Sequence, residues 1–218
     1  MIDLHTHSIF SDGELIPSEL VRRAVAKGYK AIAITDHIDH SNIDLVVPRI
    51  LKELQILKDY MQITMIAGAE ITHVPPALIP DLVKEARKMG AQIVLVHGET
   101  IVEPVMEGTN RAAIEAGVDI LAHPGLISED DLRFAKEKGI TLEITARKGH
   151  SLSNGHVARN ALRLGIPLTI NTDSHAPSDL ISRDFAMRVL LAAGIDMDKT
   201  EGIFNHSKNI VRKAIGGN

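Results

Sequence analysis

The sequence predicts one α/β domain, residues 1–218, in which parallel strands close into a barrel. Short apolar, β-branched runs alternate with amphipathic helical stretches along the chain, a rhythm typical of a parallel sheet with crossover helices. Nearly every predicted strand also delivers a histidine, aspartate or glutamate at its carboxyl end. A barrel gathers such ends at the rim where its active sites lie, whereas an open sheet spreads them along a line. A closed or distorted barrel is therefore favoured over an open doubly wound sheet.

Seven segments are predicted as strands, because each is a short apolar run that contains β-branched residues. In chain order they are residues 1–5, 30–35, 63–68, 91–97, 118–123, 140–145 and 166–171.

Amphipathic helical patterns lie between these strands, and the clearest cover residues 17–28, 79–90 and 128–139. Each of the three ends in glycine, the expected helix stop. Pro17 suits the start of the first helix, and Ser128 suits the start of the third. No composition shift, linker or low-complexity segment interrupts the seven units, which indicates a single domain.

The composition narrows the class of protein. The chain is 44% hydrophobic and 24% charged, as expected of a soluble globular protein. Cysteine is absent, so a metal would have to be held by nitrogen and oxygen. No apolar stretch could span a bilayer and no secretory signal is visible, so we expect no membrane partner and a cytoplasmic location. The net charge of −4 and the 3% aromatic content argue against a dedicated nucleic-acid surface.

Polar residues at the strand ends predict a metal site. His5 and His7 alternate after the first strand, so their imidazoles project to one side and can grip one cation. Each residue alone has an ordinary alternative, since a lone histidine is usually a satisfied polar group and Asp173 could cap a helix. Such roles do not explain the recurrence of metal-binding types at nearly every strand end. The other members of the set are Asp36, His37, Glu70, His97, His123, Glu143, Asp173 and His175.

Seven short motifs support this interpretation. HTHS, SDG, TDH, GAE, VHGE, AHPG and NTDSH occur in this order between residue 3 and about residue 180. Together they resemble the PHP family, the polymerase and histidinol phosphatase domains. The resemblance implies a distorted TIM-like (β/α)7 barrel and a trinuclear metal centre that hydrolyses phosphate esters. The cofactors would be two to three divalent ions of zinc, manganese or iron.

The resemblance also assigns residues. Asp12, Glu70 and Asp173 are the expected catalytic residues, although many relatives have histidine at the position of Asp12. Glu143 matches a family glutamate that is not a usual ligand. The implied ligands are His5, His7 and Asp173 for a first metal, His97 and His123 for a second, Asp12, His37 and His175 for a third, and Glu70 as a bridge between the first two.

A loop after the sixth strand carries Arg147, Lys148 and His150, which we expect to bind substrate. Arg147 is the first candidate for a phosphate clamp, since its planar fork suits phosphate oxygens. A solvated basic loop is the alternative. His73 and the segment 97–110 are expected to line the same pocket. Three further histidines are expected at the surface: His40, His156 and His206.

Short connections leave little material for a lid or a polymer-tracking groove, which favours a small phosphomonoester such as histidinol phosphate as the substrate. A nucleotide or oligonucleotide phosphodiesterase remains an alternative. So does an amidohydrolase-like C–N hydrolase, because those barrels also begin with an HxH pair, but they usually have a bridging lysine and no lysine ends a strand here. A non-catalytic metal-binding module is disfavoured because no ligand is missing. The sequence does not indicate an oligomeric state.

Overall fold

The computed structural model describes residues 1–216 as a nearly closed barrel of parallel strands surrounded by helices. The predicted domain runs to residue 218, so its last two residues lie outside the described part. Seven strands form the barrel in chain order, and the short β3 lies beside β4. The strands are β1 (Ile2–Asp3), β2 (Ala31–Ile34), β3 (His37–Ile38), β4 (Thr64–Ile71), β5 (Ile93–His97), β6 (Ile120–Ala122), β7 (Thr141–Thr145) and β8 (Leu168–Asn171).

The predicted strands and helices are confirmed. Ser128 caps its helix as expected, because its hydroxyl oxygen accepts a hydrogen bond from the Asp131 N–H. None of the helices within residues 1–216 combines the length and the apolar character needed to cross a membrane. The helices are α1 (Pro17–Ala26), α2 (Ile43–Leu57), α3 (Ile79–Lys88), α4 (Thr109–Ala116), α5 (Glu129–Lys138), α6 (Asn154–Leu164), α7 (Arg183–Ala192) and α8 (Met197–Ala214).

One strand extends beyond its predicted end. β4 continues to Ile71 because β3 resumes the pairing of β2 along one side of it, with His37 opposite Glu70, while β5 pairs on the other side. Glu70 therefore lies inside a strand rather than after it. The two-residue β3 was not predicted, since so short a strand leaves no periodic signal.

The first and last strands meet through single contacts rather than a regular ladder. Thr6 and Ser174 form an isolated parallel bridge, and the His7 N–H donates to the Ser174 carbonyl at 2.8 Å. The Leu4 N–H donates to the Asn171 side chain at 3.0 Å. This seam brings the HTHS and NTDSH motifs side by side.

The barrel interior is divided into an apolar and a polar half. Leu4, Ile66 and Leu95 belong to an apolar cluster inside the strands, which Ile210 and Val211 of α8 join. The α8 helix also contacts the first residue of β7, where His206 shares a hydrogen bond with Thr141 at 2.9 Å. It therefore covers the amino-terminal end of the barrel. The carboxyl end is left for the polar residues.

Two of the histidines expected at the surface are partly buried. His206 is held by Thr141, and the His156 ring donates to the Ile127 carbonyl at 3.0 Å. His40 is exposed, as predicted.

Candidate metal centre

All nine residues that the resemblance implies as ligands lie in one cup at the carboxyl end of the barrel. Five of them form its buried floor, and the others line a cavity of about 210 Å3 above that floor. The floor residues are His5, His7, Glu70, His123 and Asp173. The cavity is lined by Asp12, His37, His97 and His175, together with Asp173.

Nitrogen and oxygen atoms of the floor are spaced like ligands that share a metal. His5 Nε2 lies 3.2 Å from Glu70 Oε1, and His7 Nε2 lies 3.2 Å from Asp173 Oδ1. His123 Nε2 lies 3.6 Å from Glu70 Oε1. Two ligand atoms of the same metal, each about 2.1 Å from it in tetrahedral geometry, lie about 3.4 Å apart. The observed distances cluster around this value.

The floor also contains polar atoms that are buried without hydrogen bonds. Despite the short distances, eight such atoms on five side chains lack a partner in suitable geometry within residues 1–216. Buried polar groups in folded proteins are nearly always paired, because an unpaired one costs free energy. A divalent cation would satisfy these imidazole and carboxylate atoms together, so the residues fit a metal. The atoms belong to His5, His7, Glu70, His123 and Asp173.

The protonation states of His7, His123 and Glu70 suit ligation. Burial, with help from neighbouring imidazoles, keeps the pKa values of His7 and His123 well below the usual range, so both rings are neutral. Burial opposes ionisation of Glu70, but His5 and His37 hold its pKa well below the usual value. Burial raises the pKa of Asp173 to about 7. Metal uptake would therefore release a proton near neutral pH.

A second group lies nearer the solvent. Asp12 Oδ1 is 3.1 Å from His175 Nε2 and 3.5 Å from His37 Nε2. Partial burial works against ionisation, but the hydrogen bond with His175 and the nearby His37 lower the pKa of Asp12 to about 2. The three side chains, with His7, form a set whose ligand atoms all lie within 4.8 Å of one another. Asp12, His37 and His175 are the three residues that the resemblance assigns to a third metal.

Glu143 holds two of the floor histidines from behind. Its Oε1 contacts His5 Nδ1 at 2.9 Å and accepts a hydrogen bond from Asn171 at 2.8 Å. Its Oε2 accepts the backbone N–H of His123 at 3.1 Å. The carboxylate thus turns His5 Nε2 towards the cup, as outer partners of metal-binding histidines do. Sequence reasoning noted Glu143 but could not find Asn171, whose role depends on the barrel seam.

Substitution of Glu143 by glutamine is expected to weaken metal binding about 10- to 100-fold. Every group facing this carboxylate donates, so the amide N–H₂ must meet a donor whichever way it points. Equilibrium dialysis against buffered metal measures the change. Glu85→Gln on the exposed face of α3 is the control and should bind like the wild type. Equal affinities for Glu143→Gln and wild type would contradict the positioning role.

Close backbone approach places His97 and His123 next to each other. A Cβ at Gly98 would lie 2.4 Å from the Ala122 carbonyl oxygen, and one at Gly125 would lie 1.8 Å from the Glu99 carbonyl oxygen. Only glycine allows the loops after β5 and β6 to run this close. The two rings meet edge to face with centroids 4.4 Å apart. The close approach of the two loops therefore explains the glycines of the VHGE and AHPG motifs.

The three basic residues expected to bind substrate have different surroundings. Arg147 lines the cup and donates to Asp179 Oδ2 and to the Asp173 carbonyl, each at 3.3 Å. Lys148 is exposed in a neighbouring groove of about 790 Å3 that Arg147 also lines. His150 points inward, because the short 3₁₀ turn His150–Ser153 buries its ring against His123, with centroids 4.2 Å apart.

Three further residues line the cavity of the cup: Thr72, His73 and Glu103. His73 was expected there, and Glu103 falls in the segment 97–110 without having been singled out. Glu103 Oε2 lies 3.1 Å from His97 Nε2 and 3.3 Å from His73 Nε2. Glu103 does not follow a strand directly, so strand-end reasoning gave no signal for it.

Comparison with known proteins supports the sequence resemblance. The sequence model of the PHP domain matches residues 3–150. An uncharacterized protein of Methanocaldococcus jannaschii is 49% identical over 98% of this chain and 99% of its own. A probable phosphatase of Caldanaerobacter subterraneus subsp. tengcongensis is 28% identical over 100% of this chain and 94% of its own.

A similar fold occurs among solved structures. A chain in the cryo-EM structure of archaeal ribonuclease P with mature tRNA superposes with a TM-score of 0.73 and 18% identity, over 97% of this chain and 90% of that one. At this identity the likeness concerns the fold alone. Motif order, barrel and family match agree, and the chain belongs to the PHP domain family.

Proposed function

We propose that this chain, taken as one domain over residues 1–218, is a metal-dependent phosphoesterase that acts on small phosphomonoesters. The observation that carries the proposal is the cup floor, where eight buried nitrogen and oxygen atoms face one another without hydrogen bonds. Leaving these buried atoms unpaired would cost free energy, so the floor is suited to bound cations. Membership of the PHP family and similarity to a probable phosphatase support the same reaction class.

The proposed ligand groups follow the resemblance, and the metals would be zinc, manganese or iron. Paired divalent ions would supply Lewis acidity towards phosphoryl oxygens and a nucleophile derived from water at neutral pH. Glu70, ionised and central among four imidazoles, is the group that can serve two ions at once. The nitrogen and oxygen donors present accept all three metals.

Arg147 is proposed to bind the substrate phosphate. Its guanidinium lines the cup and is held by Asp179, so its fork is oriented before substrate arrives. Asp179 is itself fixed by the backbone N–H groups of His175 and Ala176 at 3.0 and 2.9 Å. The clamp is thus tied to the loop that carries the proposed ligands Asp173 and His175.

The sizes of the two cavities favour a small substrate. The cup of about 210 Å3 suits a phosphoryl group, and the groove of about 790 Å3 on the far side of Arg147 suits a leaving group. Lys27 and Lys148 line that groove together with the half-exposed ring of Phe185. A polar or ring-bearing alcohol would fit these surroundings. Histidinol phosphate is the first substrate to test.

A substrate panel tests the proposal. Chelated protein is reloaded with zinc, manganese or iron and assayed against phosphomonoesters including histidinol phosphate, a bis-aryl phosphodiester and an aryl amide. Turnover of monoesters above the other two classes, dependent on metal, is expected. Preference for the diester would point to a phosphodiesterase, preference for the amide to a C–N hydrolase, and no turnover by a metal-loaded protein would contradict the proposal.

Substitution of Arg147 by lysine is expected to lower kcat/KM for the best monoester about 10- to 100-fold. Lysine keeps the charge but loses the fork, and a charge-assisted hydrogen bond contributes about 1.5–3 kcal/mol, at 1.36 kcal/mol per decade. Metal content should stay normal. Arg159→Lys on the exposed side of α6 is the matched control. A kcat/KM within about twofold of wild type, about 0.4 kcal/mol, would return Arg147 to a structural role.

A further inference from the structure

Three imidazoles at one side of the cup surround a single carboxylate. Glu103 Oε2 lies 3.1 Å from His97 Nε2 and 3.3 Å from His73 Nε2, while Glu103 Oε1 lies 3.3 Å from His150 Nε2. We call these residues, His73, His97, Glu103 and His150, the rim cluster. Only His97 belongs to the nine residues that the family resemblance assigns as ligands.

The spacing in the rim cluster matches that of the cup floor. Its three contacts fall between 3.1 and 3.3 Å, close to the distance of about 3.4 Å between two ligands on one tetrahedral metal. Ligand atoms of His97, His123 and His150 also lie within 4.8 Å of one another. His150 therefore faces the position that His97 and His123 share.

Two of the rings are oriented from behind, as ligand histidines are. His150 Nδ1 is bonded to the Thr100 hydroxyl at 2.7 Å, which leaves its Nε2 towards the cup. His97 Nδ1 donates to the Gly98 carbonyl at 3.2 Å, with the same effect. Such outer partners fix the ring nitrogen that is offered to a metal.

The cluster adjoins a buried group that lacks a hydrogen-bond partner, and its own carboxylate is paired only with imidazoles. His123, buried and stacked on His150, has no hydrogen-bond partner on either ring nitrogen among the described residues. Within residues 1–216 no lysine or arginine forms an ion pair with Glu103, whose carboxylate meets only imidazoles.

A positive backbone φ angle is shared by two proposed ligands and one residue of the rim cluster. Among the described residues, only His73, His123 and Asp173 combine a side chain with a positive φ, at 53°, 27° and 52°. Such strained residues concentrate where a site holds them in place. Two of the three are proposed ligands, and the third belongs to the rim cluster.

We propose that Glu103 and His150 are additional ligands of the metal ion that His97 and His123 would hold, with His73 positioning Glu103. The inference rests on the proposed metal centre and enlarges it. The second site would then offer three imidazoles and two carboxylates, His97, His123, His150, Glu70 and Glu103. Five protein ligands exceed the four of closed zinc sites and the three of open ones.

Cobalt binding tests the inference without an activity measurement. Chelated wild type, Glu103→Gln and His150→Gln are titrated with Co²⁺, whose visible absorption reports coordination number, and bound metal is counted after equilibrium dialysis. Each variant should bind one ion at least about tenfold more weakly, since even outer partners of ligands change affinity 10–100-fold. Its spectrum should shift towards fewer ligands. Glu107→Gln in the same loop and His40→Gln, both exposed, are the matched controls.

The outcomes separate this inference from the proposed function. Coincident isotherms and spectra for wild type and Glu103→Gln would overturn it while leaving an active metal enzyme in place. A wild type that takes up no metal would overturn both. His150 is buried, so its variant could misfold; far-ultraviolet circular dichroism checks this, and the partly exposed Glu103 then decides alone.

Discussion

Replacement of Glu70 by glutamine is expected to lower kcat/KM at least about a thousandfold, equivalent to about 4 kcal/mol of transition-state stabilisation. Glu70 lies within 3.6 Å of imidazole nitrogens from His5, His7, His37 and His123, so its charge serves the whole floor of the cup. Glutamine keeps the shape but removes that charge and places an amide N–H₂ among metal-facing atoms. Binding of both proposed floor ions should therefore be weakened together.

The comparison with His5→Ala makes the test specific. His5 contributes one nitrogen to the first proposed metal, whereas Glu70 would serve two, so Glu70→Gln should lose more activity and more bound metal. Glu85→Gln on α3 should match the wild type. Metal content by elemental analysis and kcat/KM on the best monoester are the measurements. Near-wild-type values for both Glu70→Gln and His5→Ala would defeat the proposed geometry.

Much of the fold follows from local sequence. β-branched runs and glycine-terminated amphipathic helices predicted the strands and helices, because each feature depends on near neighbours in the chain. The position of Glu70 inside β4 did not follow, since the end of that strand is set by β3 and β5 pairing on either side. A short window of sequence does not reveal pairing partners that lie far along the chain.

The same distinction divides the residues of the cup. His5, His7 and His97 could be found because strand ends meet at one rim of any barrel. The part played by Asn171 could not be found, since it depends on the seam between β1 and β8. Arg147, Lys148 and His150 were grouped because they are close in sequence. The 3₁₀ turn that begins at His150 sends that ring inward while Lys148 stays exposed.

Removal of bound metal is expected to lower the melting temperature by about 10 °C. A ligand present at about a thousand times its dissociation constant stabilises the folded state by about 4 kcal/mol. For a chain of this size each kcal/mol shifts the melting temperature by about 2–4 °C. The sign follows from the floor of the cup, where the neutral imidazoles of His7 and His123 and the ionised Glu70 are buried without hydrogen bonds. A bound cation would give these groups partners.

Calorimetry of the same preparation with buffered metal and with excess chelator at pH 7.5 measures this shift. The Glu70→Gln variant provides the internal control: with its bridging charge removed it should melt at nearly the same temperature in both conditions, whereas Glu85→Gln should keep the full difference. A wild-type melting temperature that moves by less than about 2 °C, roughly 1 kcal/mol or less, would mean that the cup gains little from cations. The unpaired floor atoms would then need another explanation.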